Sequence, residues 1–522
     1  KVAAPPAPQR GVVRKGTPDG VNVALARARD QKQLFEWVDI GPAAFEKARR
    51  ENKFILLDGA AAWCHWCHVM DETTYADPEV GREIAAHFVA IRVDIDQHPD
   101  IAERYGDYGW PATIVFSPRA EELGKYRGYL TKADLLEILR AMSSVKPEAQ
   151  RAKDPFDVPP PLSALPWIAG RVVVDMDGYY DEQQAGWGQM QKPPLGLNVV
   201  FELRRYAHGD AAAGQRAVAT LAKHHLLVDP VWGGIYQYST GRLWNEPHYE
   251  KLMTYQAWNL EAFARGYAMT KRPELLADAR KIAGYLSTFL SNADGAFLVS
   301  QDADVNAHDE KKAFVDGDVY YRLDDAHRRA LGIPRIDDAV YGHENGLAIA
   351  AFVALHEATG DADALARARR AADFILRAKT APDGAIVRKE GGPRYLADQA
   401  SMGFALARLA EVTKDARYEG AAKKVADAML KDLADPESGA LFDRSIDPAA
   451  AGVFARRARP FIHEILAVRF LTALGRVTGD AAWTDRAKKL LVATCTPKEL
   501  DERGRMVGDV LLALDDLGQI AW

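Results

Sequence analysis

The feature that most constrains the fold is a pair of cysteines, Cys64 and Cys67, directly after the apolar run at 54–57. That run has the composition of a buried parallel strand. A Cys-x-x-Cys pair that opens the following helix suits disulfide exchange, because the helix N-terminus stabilises a thiolate on the first cysteine. The spacing lets the second cysteine resolve a mixed disulfide. Cys64 is the predicted nucleophile and Cys67 the predicted resolving thiol.

The surrounding residues alternate between strand and helix patterns. Strands are predicted at 35–40, 54–57, 88–94 and 113–116 and near Tyr126, with a closing helix at 133–142. This order predicts an α/β sandwich that ends in an antiparallel strand pair. Proline and charged residues then accumulate. We therefore expect a tail at 1–30, a first domain at 31–145, a linker at 146–165 and a second domain at 166–522.

The second domain has helical periodicity. Helices are predicted at 195–207, 213–227, 252–268, 274–290, 343–358, 362–378, 397–411, 417–433, 463–477 and 482–493. A pair of small residues followed by an apolar residue recurs between them, as Gly233-Gly234-Ile235, Gly295-Ala296-Phe297, Gly384-Ala385-Ile386 and Gly439-Ala440-Leu441. Helix pairs punctuated in this way favour a closed toroid, since the uneven spacing fits an open solenoid less well.

Composition limits the partners. The formal net charge is −6 and basic residues form no stripe, so we expect no nucleic-acid partner. No apolar run approaches the roughly 20 residues that span a bilayer, so no membrane span is expected. Cys495 lies in an apolar stretch and is predicted to be a buried core thiol. The Pro/Ala-rich start favours an exported, periplasmic setting weakly over a cytoplasmic one.

Other chemistry could use the cysteine pair. Zinc could bind Cys64, Cys67 and a histidine, but a structural zinc site needs four ligands and no second cysteine pair exists. Cys64-x-x-Cys67-His68 also matches the c-type haem attachment signature. A fold that retains the pair without turnover is a further alternative. We expect no metal and no cofactor.

The first domain resembles the thioredoxin superfamily. Asp58, six residues before Cys64, matches the buried carboxylate that relays a proton to the resolving cysteine in that family. Trp110-Pro111 matches its cis-proline, beside which a peptide substrate binds, so Pro111 is the implied docking residue. Four side chains are predicted to surround the redox site: Trp63, His65, Trp66 and Trp110.

The whole chain resembles a narrower family, the thioredoxin-like proteins related to spermatogenesis-associated protein 20. The matching segments are 64–70, Asp94, 99–100, 109–111, 233–235, 247–251 and 302–304. This resemblance implies an (α/α)6 barrel of the six-hairpin glycosidase type, similar to N-acylglucosamine 2-epimerases, after the thioredoxin-like domain. Residues 252–254 depart from the family pattern, which weakens any inference about barrel chemistry.

Polar residues at loop-to-helix junctions are candidates for a pocket at the mouth of the barrel. They are Trp244, His248, Glu250, Lys251, Asp302, Asp304, Glu344, Asn345, Asp398 and His463. His248 with His463 could support epimerisation, and a carboxylate pair could support glycoside hydrolysis. The alternative is that these groups cap helices. We expect His248, Glu250 and at least two of Asp302, Asp304, Asp398 and His463 to converge.

The sequence therefore predicts a thiol–disulfide oxidoreductase that acts on a protein or a small thiol. The barrel would bind a ligand, with a carbohydrate as the candidate. Two alternatives remain: a carbohydrate-active barrel, epimerase or hydrolase, with an accessory redox domain, and a non-catalytic assembly subunit. For exchange with a protein, Cys64 must be the more exposed cysteine.

Overall fold

The computed structural model describes residues 34–106, 109–142, 158–307, 309 and 312–522, and it separates into two compact units. Unit 1 comprises Lys1–Gln150, Gln301–Arg335 and Asp447–Arg457. Unit 2 comprises Arg151–Ser300, Ile336–Ile446 and Ala458–Trp522. The predicted tail at 1–30 and residues 146–157 of the predicted linker lie outside the described residues. Two stretches expected in the barrel thus belong to unit 1.

Unit 1 begins with alternating strands and helices. Their bounds are β1 Trp37–Asp39, α1 Pro42–Glu51, β2 Phe54–Ala60, α2 His65–Met70, α3 Pro78–His87, β3 Phe88–Asp94, α4 Pro99–Tyr105, β4 Ala112–Phe116, β5 Glu122–Arg127 and α5 Lys132–Ala141. The sheet order is β1-β3-β2-β4-β5. The first three strands are parallel, and β4 and β5 each run antiparallel to their neighbour. The predicted α/β sandwich is confirmed.

The apolar run in β2 is explained by burial on both faces of the sheet. Ile55 and Leu57 pack into one core cluster, and Leu56 packs into the cluster on the opposite face. Successive side chains of a strand point to opposite faces, so a strand covered on both sides needs consecutive apolar residues. This buried strand leads directly into the cysteine pair.

Unit 2 is almost entirely helical. The remaining helices of the chain are α6 Leu165–Gly178, α7 Gly196–Ala207, α8 Ala211–His224, α9 Met253–Thr270, α10 Pro273–Thr288, α11 Gly317–Tyr320, α12 Asp325–Leu331, α13 Gly342–Thr359, α14 Ala362–Ala378, α15 Leu396–Thr413, α16 Ala416–Leu433, α17 Phe461–Thr478, α18 Ala481–Thr494, α19 Pro497–Arg503 and α20 Gly508–Asp516. Short strands lie between them, at Tyr238–Ser239, Pro247–His248, Lys251–Leu252, Ser300–Gln301 and Ile336–Asp337. In the described part of the chain, no helix combines the length and apolarity needed to cross a bilayer.

Six helices of unit 2 close into an inner ring. In ring order α7, α9, α13, α15, α17 and α20 each pack against the next, and α20 packs against α7. Outer helices such as α10, α14 and α16 pack against the inner helix that precedes each of them. The predicted (α/α)6 toroid is confirmed. The predicted helices did not include α6 or α20, and α20 is the helix that completes the ring.

The recurring small-small-apolar pattern marks a repeated hydrogen-bonding device. In three copies, the apolar residue exchanges two backbone hydrogen bonds with a side-chain amide: Ile235 with Gln256, Phe297 with Asn345, and Ile386 with Gln399. Each amide belongs to the fourth residue of an inner helix. In the fourth copy, the Leu441 N–H donates to the carboxyl of Glu464, the fourth residue of α17, at 2.6 Å. The pattern therefore ties each turn to the start of the next inner helix.

Candidate functional site

The cysteine pair lies where β2 hands over to α2. Cys64 is the N-cap residue of α2, and the Cys67 backbone N–H donates to Cys64 Sγ at 3.1 Å. The two cysteines form a disulfide. A backbone N–H aimed at the first sulfur at a helix N-terminus also stabilises that sulfur as a thiolate after reduction. The local geometry thus supports the predicted roles of the two cysteines.

Access to the sulfurs differs from the expectation. Cys64 is 3% exposed and Cys67 is 5% exposed, so the expectation that Cys64 is the more exposed cysteine is wrong. Trp63 is also buried, and its Nε1 donates to Asp96 Oδ2 at 2.8 Å. The oxidised pair therefore offers no exposed sulfur to the surface of a folded protein.

Asp58 is buried, as predicted, at 1% exposure. Burial raises the pKa of its carboxyl to about 6, although the guanidinium of Arg92 opposes this shift. Arg92 lies opposite Asp58 in the β2–β3 register, donates to Asp58 Oδ2 at 3.0 Å and also pairs with Asp71. Arg92 was missed by sequence reasoning, although its position on the neighbouring strand is a usable signal. A carboxyl with this pKa can exchange a proton near neutral pH.

The Trp110–Pro111 peptide bond is cis, as predicted from the family resemblance. The Trp110 ring lies against the backbone of β2, where a Cβ placed on Gly59 would be 2.7 Å from Trp110 Cζ3. Glycine is therefore required at position 59 for this ring to approach the strand. Trp66, the last predicted neighbour, packs near Tyr129 with a ring separation of 5.8 Å.

The two histidines of the redox motif contact the segment at 301–335, which is part of unit 1. Asp304 Oδ2 lies 2.8 Å from His65 Nδ1 and 3.4 Å from His68 Nδ1. Burial opposes a charge on His68, but Asp302 and Asp304 outweigh it and raise the pKa of this imidazole to about 9. The expected barrel pocket is therefore wrong for Asp302 and Asp304. Sequence reasoning placed them in the barrel because helices precede and follow them along the chain.

A cavity of about 230 Å³ lies inside the ring of unit 2. Its lining includes His463, as predicted, and also His343, Trp258 and Glu261. The rings of His343 and His463 are 5.2 Å apart. Burial, aided by His343 and Arg388, lowers the pKa of His463 well below its ordinary value, so this imidazole is neutral. Sequence reasoning paired His463 with His248 and missed His343, whose position at the start of an inner helix was a usable signal.

Two further candidates have structural roles instead. Lys251 Nζ is fully buried and donates to Asp229 Oδ2 at 2.7 Å. Trp244 is buried, and its Nε1 donates to the Gln184 carbonyl at 3.0 Å. Neither residue lines the 230 Å³ cavity. The aromatic platform and the charged pair predicted from the 244–251 segment are thus parts of the packing.

The other barrel candidates also lie outside the lining of the cavity. His248 stacks on Tyr238 with a ring separation of 4.4 Å, and its Nδ1 is 3.6 Å from Glu250 Oε2. Asp398 binds both Arg388 and the His343 backbone N–H. Glu344 is buried beside Asn345, the residue that holds the turn at 295–297. The helix-terminus alternative therefore describes these junctions better than the expected single pocket.

Comparison with known proteins supports both halves of the chain. Residues 26–152 match a family model named Thioredox_DsbH and described as a protein of unknown function, DUF255. Human spermatogenesis-associated protein 20 is 29% identical over 308 residues, which cover 52% of this chain and 39% of that protein. The chain is thus related to this thioredoxin-like family, although the match spans about two fifths of the human protein.

Two other comparisons concern the separate domains. The thiol:disulfide interchange protein DsbD 1 of Pseudomonas aeruginosa is 35% identical over 104 residues, which cover 19% of this chain and 17% of that protein. The solved structure of cellobiose 2-epimerase from Spirochaeta thermophila has a TM-score of 0.51 at 12% identity and covers 68% of this chain and 97% of that chain. The second likeness shows a shared barrel fold.

Proposed function

We propose that unit 1 carries out thiol–disulfide exchange at Cys64 and Cys67 with a small thiol or disulfide. The observation that carries this proposal is the placement of Cys64 at the N-terminus of α2, with the Cys67 N–H directed at its sulfur. The similarity to a thiol:disulfide interchange protein supports the same chemistry. The barrel is proposed to act as a ligand-binding domain.

The reaction is a balanced two-step exchange. In the reduced protein, the Cys64 thiolate attacks a small disulfide RSSR, forms a mixed disulfide and releases RS⁻. The Cys67 thiol then loses its proton and attacks Cys64 Sγ, which closes the protein disulfide and releases the second thiolate. Asp58, with a pKa of about 6, is the proposed acceptor of the Cys67 proton. The protein loses two electrons and RSSR gains them.

Burial of both cysteines favours a small partner over a folded protein. A small thiol needs a much smaller local opening to reach a sulfur than a protein surface does. The predicted protein partner is therefore the less supported of the two classes. We expect fast exchange with glutathione disulfide and slow reduction of insulin.

Trapping of the mixed disulfide tests this proposal. The reduced full chain is mixed with glutathione disulfide, and the adducts are located by mass spectrometry. We expect Cys67→Ser to accumulate one glutathione on Cys64, and Cys64→Ser to accumulate none. Cys495→Ser is the matched control, because this free cysteine is buried and should not affect trapping. An adduct absent from Cys64 in the Cys67→Ser variant would refute the exchange mechanism.

A second candidate function belongs to the barrel cavity. His343 and His463 lie close together there, and a pair of imidazoles can move a proton next to a sugar carbonyl. The fold neighbour is a cellobiose epimerase by name, which suggests a reducing sugar as substrate. Proton NMR in D₂O tests this by following the C2 hydrogen of mannose or cellobiose. Exchange that disappears in His463→Asn supports the candidate, and no exchange in the native protein rejects it.

A further inference from the structure

A group of metal-ligating side chains lies beside the disulfide, within unit 1. His65 and His68 are three residues apart on α2 and therefore share one side of the helix. The other members, Asp302, Asp304 and Asp316, come from the segment at 301–335. The proposed exchange reaction uses none of these five side chains, and the barrel cavity does not include them.

The spacing of the ligand atoms matches one coordination sphere. Asp304 Oδ2 is 2.8 Å from His65 Nδ1 and 3.4 Å from His68 Nδ1. One ligand atom from each member of the triads His65–Asp304–Asp316 and His68–Asp302–Asp304 lies within 4.8 Å of the others. Metal–ligand bonds of about 2.1 Å place neighbouring ligand atoms about 3.0 to 3.4 Å apart in octahedral or tetrahedral geometry. Small side-chain movements thus suffice to bind an ion.

The carboxylates are held in orientation by backbone amides. Asp304 Oδ1 accepts the Gly317 N–H at 2.9 Å, and Asp302 Oδ1 accepts the Asp304 N–H at 2.9 Å. In each carboxylate, the second oxygen therefore faces a histidine, at 2.8 Å for Asp304 and 3.7 Å for Asp302. Hydrogen bonds that fix the outer atoms of ligands are a regular property of protein metal sites.

Burial and charge favour a cation here. Asp302, Asp304 and His68 are 1%, 0% and 4% exposed. The group contains three carboxylates and two imidazoles, so it remains net negative even with both imidazoles protonated. Buried charge of one sign is costly unless it is balanced, and a divalent cation balances it. Imidazole nitrogen combined with carboxylate oxygen selects first-row transition ions such as Zn²⁺.

We propose that unit 1 binds one divalent transition-metal ion at Asp304, with His65 and His68 as nitrogen ligands and Asp302 or Asp316 as a further oxygen ligand. This site differs from the zinc site weighed from the sequence, which used both cysteine sulfurs. Here the disulfide stays intact, and the ligands are the histidine between the cysteines and the one after them. The sequence concealed the site because Asp304 lies 236 positions after His68.

Calorimetric titration of the oxidised full chain with Zn²⁺ tests the proposal, since the intact disulfide removes thiolates from competition. We expect one Zn²⁺ per chain and a dissociation constant at least about tenfold weaker in Asp304→Asn and in His68→Gln. The matched controls, Asp39→Asn and His87→Gln, change exposed residues of the same unit and should bind as the native protein does. Absence of saturable binding, or equal binding in all variants, would overturn the proposal.

A second measurement does not depend on variants that fold. The native, oxidised chain is loaded with Co²⁺, and proton NMR is recorded in water. We expect two exchangeable, strongly shifted imidazole N–H signals, one from each histidine ligand, and an electronic spectrum without thiolate-to-cobalt charge transfer. A spectrum with no shifted imidazole signals, or with such charge transfer, would assign the cation to other groups and reject the site.

Discussion

Glu464 provides a quantitative test of how the barrel is held together. Its carboxyl accepts the Leu441 N–H, in the position that an amide occupies in the three other copies of the device. Burial raises the pKa of Glu464 to about 8 from an ordinary value of 4.5. The carboxyl is therefore protonated in the folded protein at pH 5 to 7 and can act as an amide does. Replacement by glutamine should preserve both hydrogen bonds at every pH.

The sign of the pH effect follows from proton counting. Between pH 4.5 and 8 the folded state binds more protons at Glu464 than the unfolded state does, so the free energy of unfolding falls as pH rises. Integrating the two titration curves from pH 5 to 8 gives a loss of about 3 kcal/mol at this residue. Glu464→Gln removes the titrating group. Its stability advantage over the native chain should therefore grow by about 3 kcal/mol over this range.

Urea unfolding followed by far-ultraviolet circular dichroism, which reports on the helical unit, measures this difference at pH 5 and pH 8. Glu437→Gln is the matched control, because it replaces an exposed glutamate in the same unit. We expect the control to have the same pH dependence as the native chain. If Glu464→Gln also keeps the native pH dependence, Glu464 does not act as a protonated substitute for an amide.

Two other predictions concern unit 1 and the inner ring. Asp58→Asn should slow reoxidation by glutathione disulfide and remove the inflection near pH 6 from its rate profile, because the carboxyl that titrates there is gone; an unchanged profile in stopped-flow measurements would contradict the relay. Gly403→Ala should destabilise the barrel by about 1–3 kcal/mol, because the new Cβ would overlap the Phe470 ring. Gly420→Ala, a helical position with open space around its Cα, should instead stabilise it by up to about 1 kcal/mol in the same urea assay.

Local patterns predicted the parts of the fold that depend on neighbouring residues. The apolar run of β2, the cysteine pair at the start of α2 and the inner helices were predicted from periodicity. The small-small-apolar pattern located the repeated turns, but its partners, such as Gln256 and Gln399, lie 13 to 21 residues later and have no signal of their own. Side chains that act across a toroid cannot be paired from periodicity alone.

The errors in the site share one physical cause. Asp302 and Asp304 lie between barrel helices along the chain, yet they contact histidines of unit 1. Their long sequence separation hides this contact from any local pattern, and with it the candidate metal site. His343 was missed for a different reason, since the residues after it, Glu344 and Asn345, resembled cap residues and drew the prediction away.

The central claim is that Cys64 and Cys67 form a reversible dithiol–disulfide couple. Equilibration of the full chain in glutathione buffers of graded potential, followed by alkylation and mass spectrometry, tests it directly. We expect both thiols to appear together, with a tenfold change in the reduced-to-oxidised ratio for about every 30 mV. A disulfide that stays intact at all potentials, or cysteines that react independently of each other, would contradict the account.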